Sequence, residues 1–166
     1  MNEIGESATF DICTPNNLPT KLAELLPQSF GPHDLGFTGG LLTTPSSQAS
    51  VSSQDPSLYC AAMAAQLSYA PTTNSPSGVA IRMKNGTHYS GSYLENVAFN
   101  PSVSPLQAAL DQLVADGASY GDIAEVVLVE KSIKDGAMIS YASEIAAIMK
   151  HIGPEAPFRV VDWCVA

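Results

Sequence analysis

The sequence lacks long hydrophobic runs and paired cysteines. No window of its 166 residues approaches the roughly 18 uninterrupted apolar residues that a transmembrane helix needs, so we expect no membrane partner. Residues 1–6 carry acids where a secretory signal carries a positive segment and an apolar run, so we do not expect secretion. The three cysteines, Cys13, Cys60 and Cys164, are widely spaced and form no CxxC pair. This pattern is typical of reduced, buried thiols in a cytoplasmic protein.

Positive charge is also scarce. Seven Lys and Arg residues stand against sixteen Asp and Glu, which gives a net charge of −9. The electrostatic field of a negatively charged protein repels phosphate backbones, so nucleic acid is not expected as a partner. Apolar side chains make up 45% of the chain, which is enough to form the core of one ordinary domain without disulfides.

The common catalytic signatures are missing as well. The phosphate-binding patterns GxGxxG and GxxxxGK[ST] do not occur, and Gly91-Ser92-Tyr93 is not the GxSxG of a hydrolase nucleophile. His33, His88 and His151 are far apart in the sequence, so no element presents two nitrogen ligands together. The sequence therefore predicts no zinc site of its own.

What the sequence does contain is an alternation of helical and strand patterns from residue 56 onwards. Asp55 is predicted to cap a first helix that opens at Pro56 and runs through 58–70, and Ser104 to cap a second helix at 105–116. The other predicted elements are a hairpin with strands at 79–84 and 87–93, a strand at 123–130, a helix at 141–152 and a strand at 158–165. Asn85-Gly86 predicts a type I′ turn in the hairpin. The order implies a mixed sheet sandwiched between helices, which is a three-layer α/β/α domain.

The earlier part of the chain is less regular. A strand is expected at 8–13 and a short helix at 21–26, which Pro27 ends. Residues 36–54 are rich in Gly, Thr, Ser and Gln and have almost no charge, so we interpret them as a linker. The helix at 58–70 is apolar nearly all round, which indicates packing on more than one side, as at a subunit interface.

Four segments, in order along the chain, resemble a known family. They are LPQSFGPHDL at 26–35, SPSGVA at 75–80, GSYLENVAFNP at 91–101 and SPLQAAL at 104–110. Together they resemble the second half of the two-domain, homodimeric cytidine deaminases, clearly up to about residue 131 and more weakly beyond it. In that family the first domain holds zinc through a His-Ala-Glu helix and a Pro-Cys-x-x-Cys turn, and the second domain repeats the fold without the metal.

This resemblance implies that the chain has no catalytic or metal-binding residue. The position equivalent to His-Ala-Glu reads Pro105-Leu106-Gln107, and no cysteine pair follows it. A proline ring cannot ligate zinc, and Gln107 has no useful pKa for general acid and base catalysis. Zinc is therefore expected in the full-length family member and not in this chain.

The resemblance also assigns substrate-binding roles across a homodimer. It implies that Phe30 stacks near the pyrimidine of cytidine or deoxycytidine and that Ala98 lines the same pocket through its backbone, both in the active site of the partner subunit. Alternatively, the Phe30 side chain is buried and anchors the connector to a hydrophobic core. Glu95 and Asn96 stand where catalytic domains hold the ribose, but here we expect them to fix loop backbone.

The resemblance gives three segments. Residues 1–15 correspond to the last strand of a catalytic domain, 16–54 to an interdomain connector, and 55–166 to the non-catalytic domain. The implied function is part of a cytoplasmic pyrimidine-salvage enzyme that deaminates cytidine or deoxycytidine, with this chain contributing to dimerisation or docking on a catalytic-domain partner. The alternatives are a free-standing, catalytically inactive module that binds a nucleoside or regulates a deaminase, and an unrelated α/β binding protein.

Overall fold

The computed structural model describes residue 4 and residues 10–42, 53–98 and 100–163. The backbone contacts divide the chain into two compact units. The first is Met1–Pro45 with Asn96–Asn100, and the second is Ser46–Glu95 with Pro101–Ala166.

The first unit is built from short elements. Strands β1 (Asp11–Ile12) and β2 (Thr20–Lys21) pair in antiparallel fashion, and helix α1 (Leu22–Leu25) follows directly. The helix is a single turn, shorter than the sequence predicts. The predicted strand at 8–13 and the predicted linker at 36–54 lie partly outside the described residues.

The second unit contains the main sheet and three helices. Its elements are α2 (Pro56–Gln66), β3 (Ser77–Met83), β4 (His88–Ser92), α3 (Pro105–Ala115), β5 (Ile123–Glu130), α4 (Ala142–Ile152) and β6 (Phe158–Asp162). The strand order is β4-β3-β5-β6. Strand β3 is antiparallel to both neighbours, whereas β5 and β6 are parallel and are joined through α4. The mixed sheet predicted from the sequence is confirmed.

Helices cover both faces of this sheet. Because side chains alternate along a strand, Val126 and Leu128 face one side of β5, and Val127 and Val129 face the other. The first pair packs in a core with buried residues of α3 and α4. The second pair packs with three alanines of α2 and with Trp163. The α/β/α layering is therefore confirmed, with two helices on one face and one on the other.

The hairpin turn differs from the predicted type I′. Only Gly86 has a positive φ, +88°, whereas a type I′ turn needs two such residues. The Gly86 N–H donates to the Met83 carbonyl at 2.9 Å, and the Met83 N–H donates to the Thr87 carbonyl at 2.8 Å. The loop is thus a three-residue connection in which the glycine occupies the left-handed position after the turn.

Helix α2 begins as the sequence predicts but ends earlier. Asp55 caps it by accepting from the backbone N–H groups of Ser57 at 3.0 Å and Leu58 at 3.3 Å. The helix ends at Gln66, because Tyr69 pairs instead with the chain beyond β4: its N–H donates to the Tyr93 carbonyl at 2.9 Å.

The cysteines and the helix lengths bear on two other expectations. Cys13 is exposed and Cys60 half-buried, so burial of the thiols is wrong for Cys13; Cys164 lies outside the described residues. Among the described residues, no helix is both long enough and apolar enough to cross a bilayer.

A charged network ties the start of α2 to the sheet. The Glu125 carboxylate accepts from Arg82 Nε at 3.2 Å, Arg159 Nε at 3.1 Å and Ser57 Oγ at 3.0 Å. Arg159 also pairs with Asp55. Burial raises the pKa of Glu125, but the three hydrogen bonds outweigh it and hold that pKa below its usual value. The hydrogen bond from Arg159 likewise lowers the pKa of Asp55.

This network predicts a loss of stability in acid. Since the folded pKa of Glu125 lies below its ordinary value of 4.5, its contribution is complete above that pH and is lost as the pH falls through the folded pKa. We expect the urea midpoint to fall between about pH 5 and pH 3, and the Glu125→Gln variant to show a shallower decline over the same range. Identical pH profiles for the two proteins would contradict this account.

Candidate functional site

Phe30 is presented by a rigid turn in the first unit. The Gly31 N–H donates to Asp34 Oδ2 at 2.7 Å, and the Asp34 N–H donates to the Gly31 carbonyl at 3.0 Å. Gly31 and Pro32 are buried, whereas Phe30 is 57% exposed. The turn therefore fixes the backbone beside Phe30, and this exposure is not that of a core anchor.

Ala98 belongs to a short loop that Asn96 holds in shape. The Ala98 N–H donates to Asn96 Oδ1 at 2.9 Å, and the Ala98 carbonyl accepts from the Asn100 N–H at 2.7 Å. Ala98 is exposed. Asn96 thus fixes loop backbone, as the sequence predicts.

Both predicted substrate-binding residues fall in the same compact unit. The unit that contains Phe30 also contains Asn96–Asn100, although about 65 residues separate these positions in the sequence. Neither composition nor periodicity shows this association; only the family resemblance pairs the two positions. Asp34, which fixes the turn after Phe30, was missed, although an acid three residues after a glycine and two after a proline is a capping signal.

Glu95 binds the backbone and side chain of a loop in the second unit. It is 6% exposed, and its Oε2 accepts from the Thr72 N–H at 3.1 Å, the Thr73 N–H at 3.2 Å and Thr73 Oγ1 at 3.2 Å. Three donors on one carboxylate oxygen fix the loop that precedes β3. This geometry confirms the structural role predicted for Glu95.

Replacement of this carboxylate should therefore reduce stability. The Glu95→Gln variant keeps the shape but weakens the three charge-assisted bonds, so we expect the free energy of unfolding to fall by about 1–3 kcal/mol. Urea denaturation measures it, and Glu155→Gln, at an exposed glutamate, is the matched control. Equal stability of the two variants would refute the role given to Glu95.

Helix α3 begins at the segment that the resemblance aligns with His-Ala-Glu. At the start of α3, Pro105 is buried, Leu106 is fully buried in the main core and Gln107 is exposed. The Ser104 hydroxyl caps the helix by accepting from the Gln107 N–H at 3.3 Å. Leu106 thus packs as a hydrophobic core residue, and Pro105 stands at the position that the resemblance aligns with the histidine.

The start of α4 is also built from packing contacts. The buried Tyr93 ring lies 5.0 Å from the Tyr141 ring, centroid to centroid. Burial, the neighbouring Tyr93 hydroxyl and the carboxylates of Glu144 and Glu95 together raise the pKa of Tyr141 well above its usual range. The Tyr141 N–H donates to the buried Glu130 carboxylate at 2.8 Å.

These residues do not fit a zinc ion. Neither the start of α3 nor the start of α4 carries a His or a Cys. Within residues 10–42, 53–98 and 100–163, no group of three or more His, Cys, Asp or Glu side chains is arranged to hold a metal. No reaction step can therefore be assigned to a metal held by the described residues.

Comparison with known proteins gives consistent matches. Residues 22–143 match the family model described as the cytidine and deoxycytidylate deaminase zinc-binding region. The chain is 39% identical to the cytidine deaminase of Vibrio cholerae serotype O1 over 163 residues, which cover 98% of this chain and 54% of that protein. It is 39% identical to the cytidine deaminase of Cronobacter sakazakii over 153 residues, covering 92% of this chain and 51% of that protein.

The chain therefore spans about half the length of the curated relatives it matches. Among solved structures, the crystal structure of cytidine deaminase from Burkholderia pseudomallei superposes with a TM-score of 0.57 at 20% identity, covering 67% of this chain and 86% of that chain. At this level of identity the match shows a shared fold.

Proposed function

Since this chain belongs to the family of the cytidine and deoxycytidylate deaminase zinc-binding region, we propose that it is the C-terminal, non-catalytic half of a zinc-dependent cytidine deaminase. The full enzyme would convert cytidine or deoxycytidine to the uridine product by hydrolysis. In this proposal the zinc and the proton-transferring carboxylate belong to the other half, and this chain supplies dimer contacts and part of the nucleoside pocket.

One observation carries the proposal. The helix start that would present His-Ala-Glu reads Pro105-Leu106-Gln107, and Leu106 is fully buried in the core while Gln107 is exposed. The proline ring at the histidine position has no lone pair to donate to zinc, and the Gln107 amide cannot transfer a proton as a carboxylate does. The fold is kept and its catalytic groups are replaced, which favours a supporting role.

The contribution to the partner's pocket is assigned to Phe30 and Ala98. An exposed aromatic ring on a fixed backbone can stack on a pyrimidine with little loss of conformational entropy. Ala98 would approach the same nucleoside through its backbone, which Asn96 holds in place. The association of both residues in one compact unit supports this joint role.

A domain exchange tests the proposal. The Vibrio cholerae cytidine deaminase would carry this chain in place of the stretch it matches, and cytidine hydrolysis would be measured from the loss of absorbance as uridine forms. We expect an active chimera, because the catalytic half is retained. A folded chimera without activity would overturn the proposal.

Calorimetry separates this function from that of a free-standing nucleoside-binding module. If this chain supplies only part of a pocket, cytidine titrated into the chain alone produces no binding heat. The hydrogen bonds of Glu95 Oε2 to Thr72 and Thr73 support this outcome, because they hold this buried carboxylate on the loop before β3. Clear saturable binding would favour the module instead.

We also place the protein in the cytoplasm. The two cysteines that the structure describes, Cys13 and Cys60, are free thiols, as expected in a reducing compartment.

A further inference from the structure

Helix α2 has an inverted distribution of side-chain size. Its buried residues are all small, namely Ser57, Ala61, Ala62, Ala64 and Ala65. Its large apolar residues face outwards: Tyr59 is 48% exposed, Met63 39%, and Leu67, at the helix end, 62%. Helix α3 shows the ordinary arrangement and buries Leu106 and Leu113.

The inversion follows from how closely α2 approaches the sheet. A Cβ added at Gly78 of β3 would lie 2.2 Å from the Ala65 nitrogen and 2.4 Å from the Ala61 carbonyl oxygen. At such a distance only small side chains fit between helix and strand. The inner face of α2 is therefore fully used by alanines, and nothing about that packing requires large apolar residues on the outer face.

The three outward residues form a single ridge. Residues four apart lie one above the other on a helix, so Tyr59, Met63 and Leu67 follow one line with Met63 at its centre. From Pro56 to Ile81 the sequence contains no Asp, Glu, Lys, Arg or His, although the whole chain carries a net charge of −9. The ridge is thus an exposed part of a long uncharged segment on a strongly acidic protein, and the Asp55–Arg159 pair lies one turn before it.

We propose that this ridge, Tyr59, Met63 and Leu67, is the centre of an interface with a second copy of the chain. Two acidic copies repel each other unless they meet on uncharged surface, and the ridge is such a surface. In a twofold arrangement the two helices cross antiparallel at Met63. Tyr59 then packs against the partner's Leu67, and Leu67 packs against the partner's Tyr59. The inference rests on the proposed homodimer and names its contact surface.

The ridge is only the centre of such an interface. A stable dimer buries about 800 Å² of each partner. Leu58, Cys60 and Val161 are partly buried hydrophobic residues packed against the α2 core. Large apolar side chains at the centre of an interface contribute most of its energy, so Met63 is the position at which a charge is most disruptive.

Analytical ultracentrifugation of the full chain tests the proposal. We expect the parent chain to dimerise and the Met63→Glu variant to dimerise at least about a hundredfold more weakly, because two carboxylates would meet at the twofold axis. The control is Val114→Glu, which places a charge at a 55% exposed apolar residue of α3. That variant should associate like the parent. Equal association of parent and Met63→Glu, or equal weakening by both variants, would overturn the assignment.

Cross-linking tests the geometry independently of stability. In a background with Cys13, Cys60 and Cys164 changed to Ser, Met63→Cys should form a disulfide with its own copy. Tyr59→Cys and Leu67→Cys should each fail to cross-link alone and should cross-link when the two variants are mixed. Self-linking of Tyr59→Cys, or no cross-link from any variant, would contradict the antiparallel arrangement.

Failure of this inference is distinguishable from failure of the proposed function. A parent chain that stays monomeric at high concentration would overturn the ridge assignment, while the activity of the chimera would still support the function. An inactive chimera together with a Met63-dependent dimer would overturn the proposed function and support the ridge assignment.

Discussion

Gly78→Ala is expected to destabilise the protein severely. The added methyl would lie 2.2 Å from the Ala65 nitrogen, 2.4 Å from the Ala61 oxygen and 2.6 Å from the Ala64 carbonyl carbon, all in the backbone of α2. A helix backbone cannot move aside as a flexible side chain can, so α2 would have to leave the sheet. We expect a loss of about 3 kcal/mol or more, a large share of the stability of an ordinary domain.

Gly121→Ala is the matched control for this experiment. Its added Cβ would meet only Ser119 Oγ at 3.7 Å, and Gly121 has no positive φ. Circular dichroism and urea denaturation of the two variants measure the difference. Gly91→Ala should resemble Gly78→Ala, since its Cβ would lie 2.3 Å from the Pro105 oxygen at the start of α3. Parent-like stability of Gly78→Ala would show that α2 does not pack as described.

Phe30→Ala should impair cytidine binding in the active chimera. Removal of a stacked aromatic ring costs about 1–3 kcal/mol per base, so we expect the KM for cytidine to rise about tenfold. The effect on kcat should be smaller, because Phe30 is assigned to binding and lies outside the catalytic groups. Steady-state kinetics of the chimera with and without the substitution give both constants.

Leu35→Ala provides the control for Phe30. Leu35 is 43% exposed and lies in the same turn, so its removal changes the apolar surface of the first unit without removing an aromatic ring. We expect its KM to stay close to that of the chimera. An equal rise in KM for both variants would indicate a general disturbance of the unit, and unchanged kinetics for Phe30→Ala would remove it from the pocket.

Periodicity and capping residues determine most of the second unit, and the sequence therefore predicts it well. Asp55 and Ser104 cap helices that begin where expected, and the β-branched run of β5 forms a strand covered on both faces. The layer order follows from the order of helices and strands and from right-handed parallel crossovers. Helix α2 ends early because Tyr69 pairs with Tyr93, a contact between distant segments that no local pattern shows.

The candidate site could be predicted only in part. The expectation that Pro105-Leu106-Gln107 holds no zinc follows directly from the residues once the resemblance is recognised. The hydrogen bond by which Asn96 fixes the Ala98 backbone is local, and the sequence predicts it. The association of this loop with the unit of Phe30 depends on contacts between distant segments. Composition alone also could not predict the outward ridge of α2. The sequence of an almost uniformly apolar helix does not show which of its faces approaches a sheet.

The most direct test of the central claim is the zinc content of the purified chain, measured by inductively coupled plasma mass spectrometry after exposure to excess zinc and gel filtration. The replacement of the ligand positions predicts only traces of metal. A catalytic deaminase domain would retain about one zinc per chain. A stoichiometric zinc ion that survives gel filtration would contradict the assignment of this chain as the non-catalytic half.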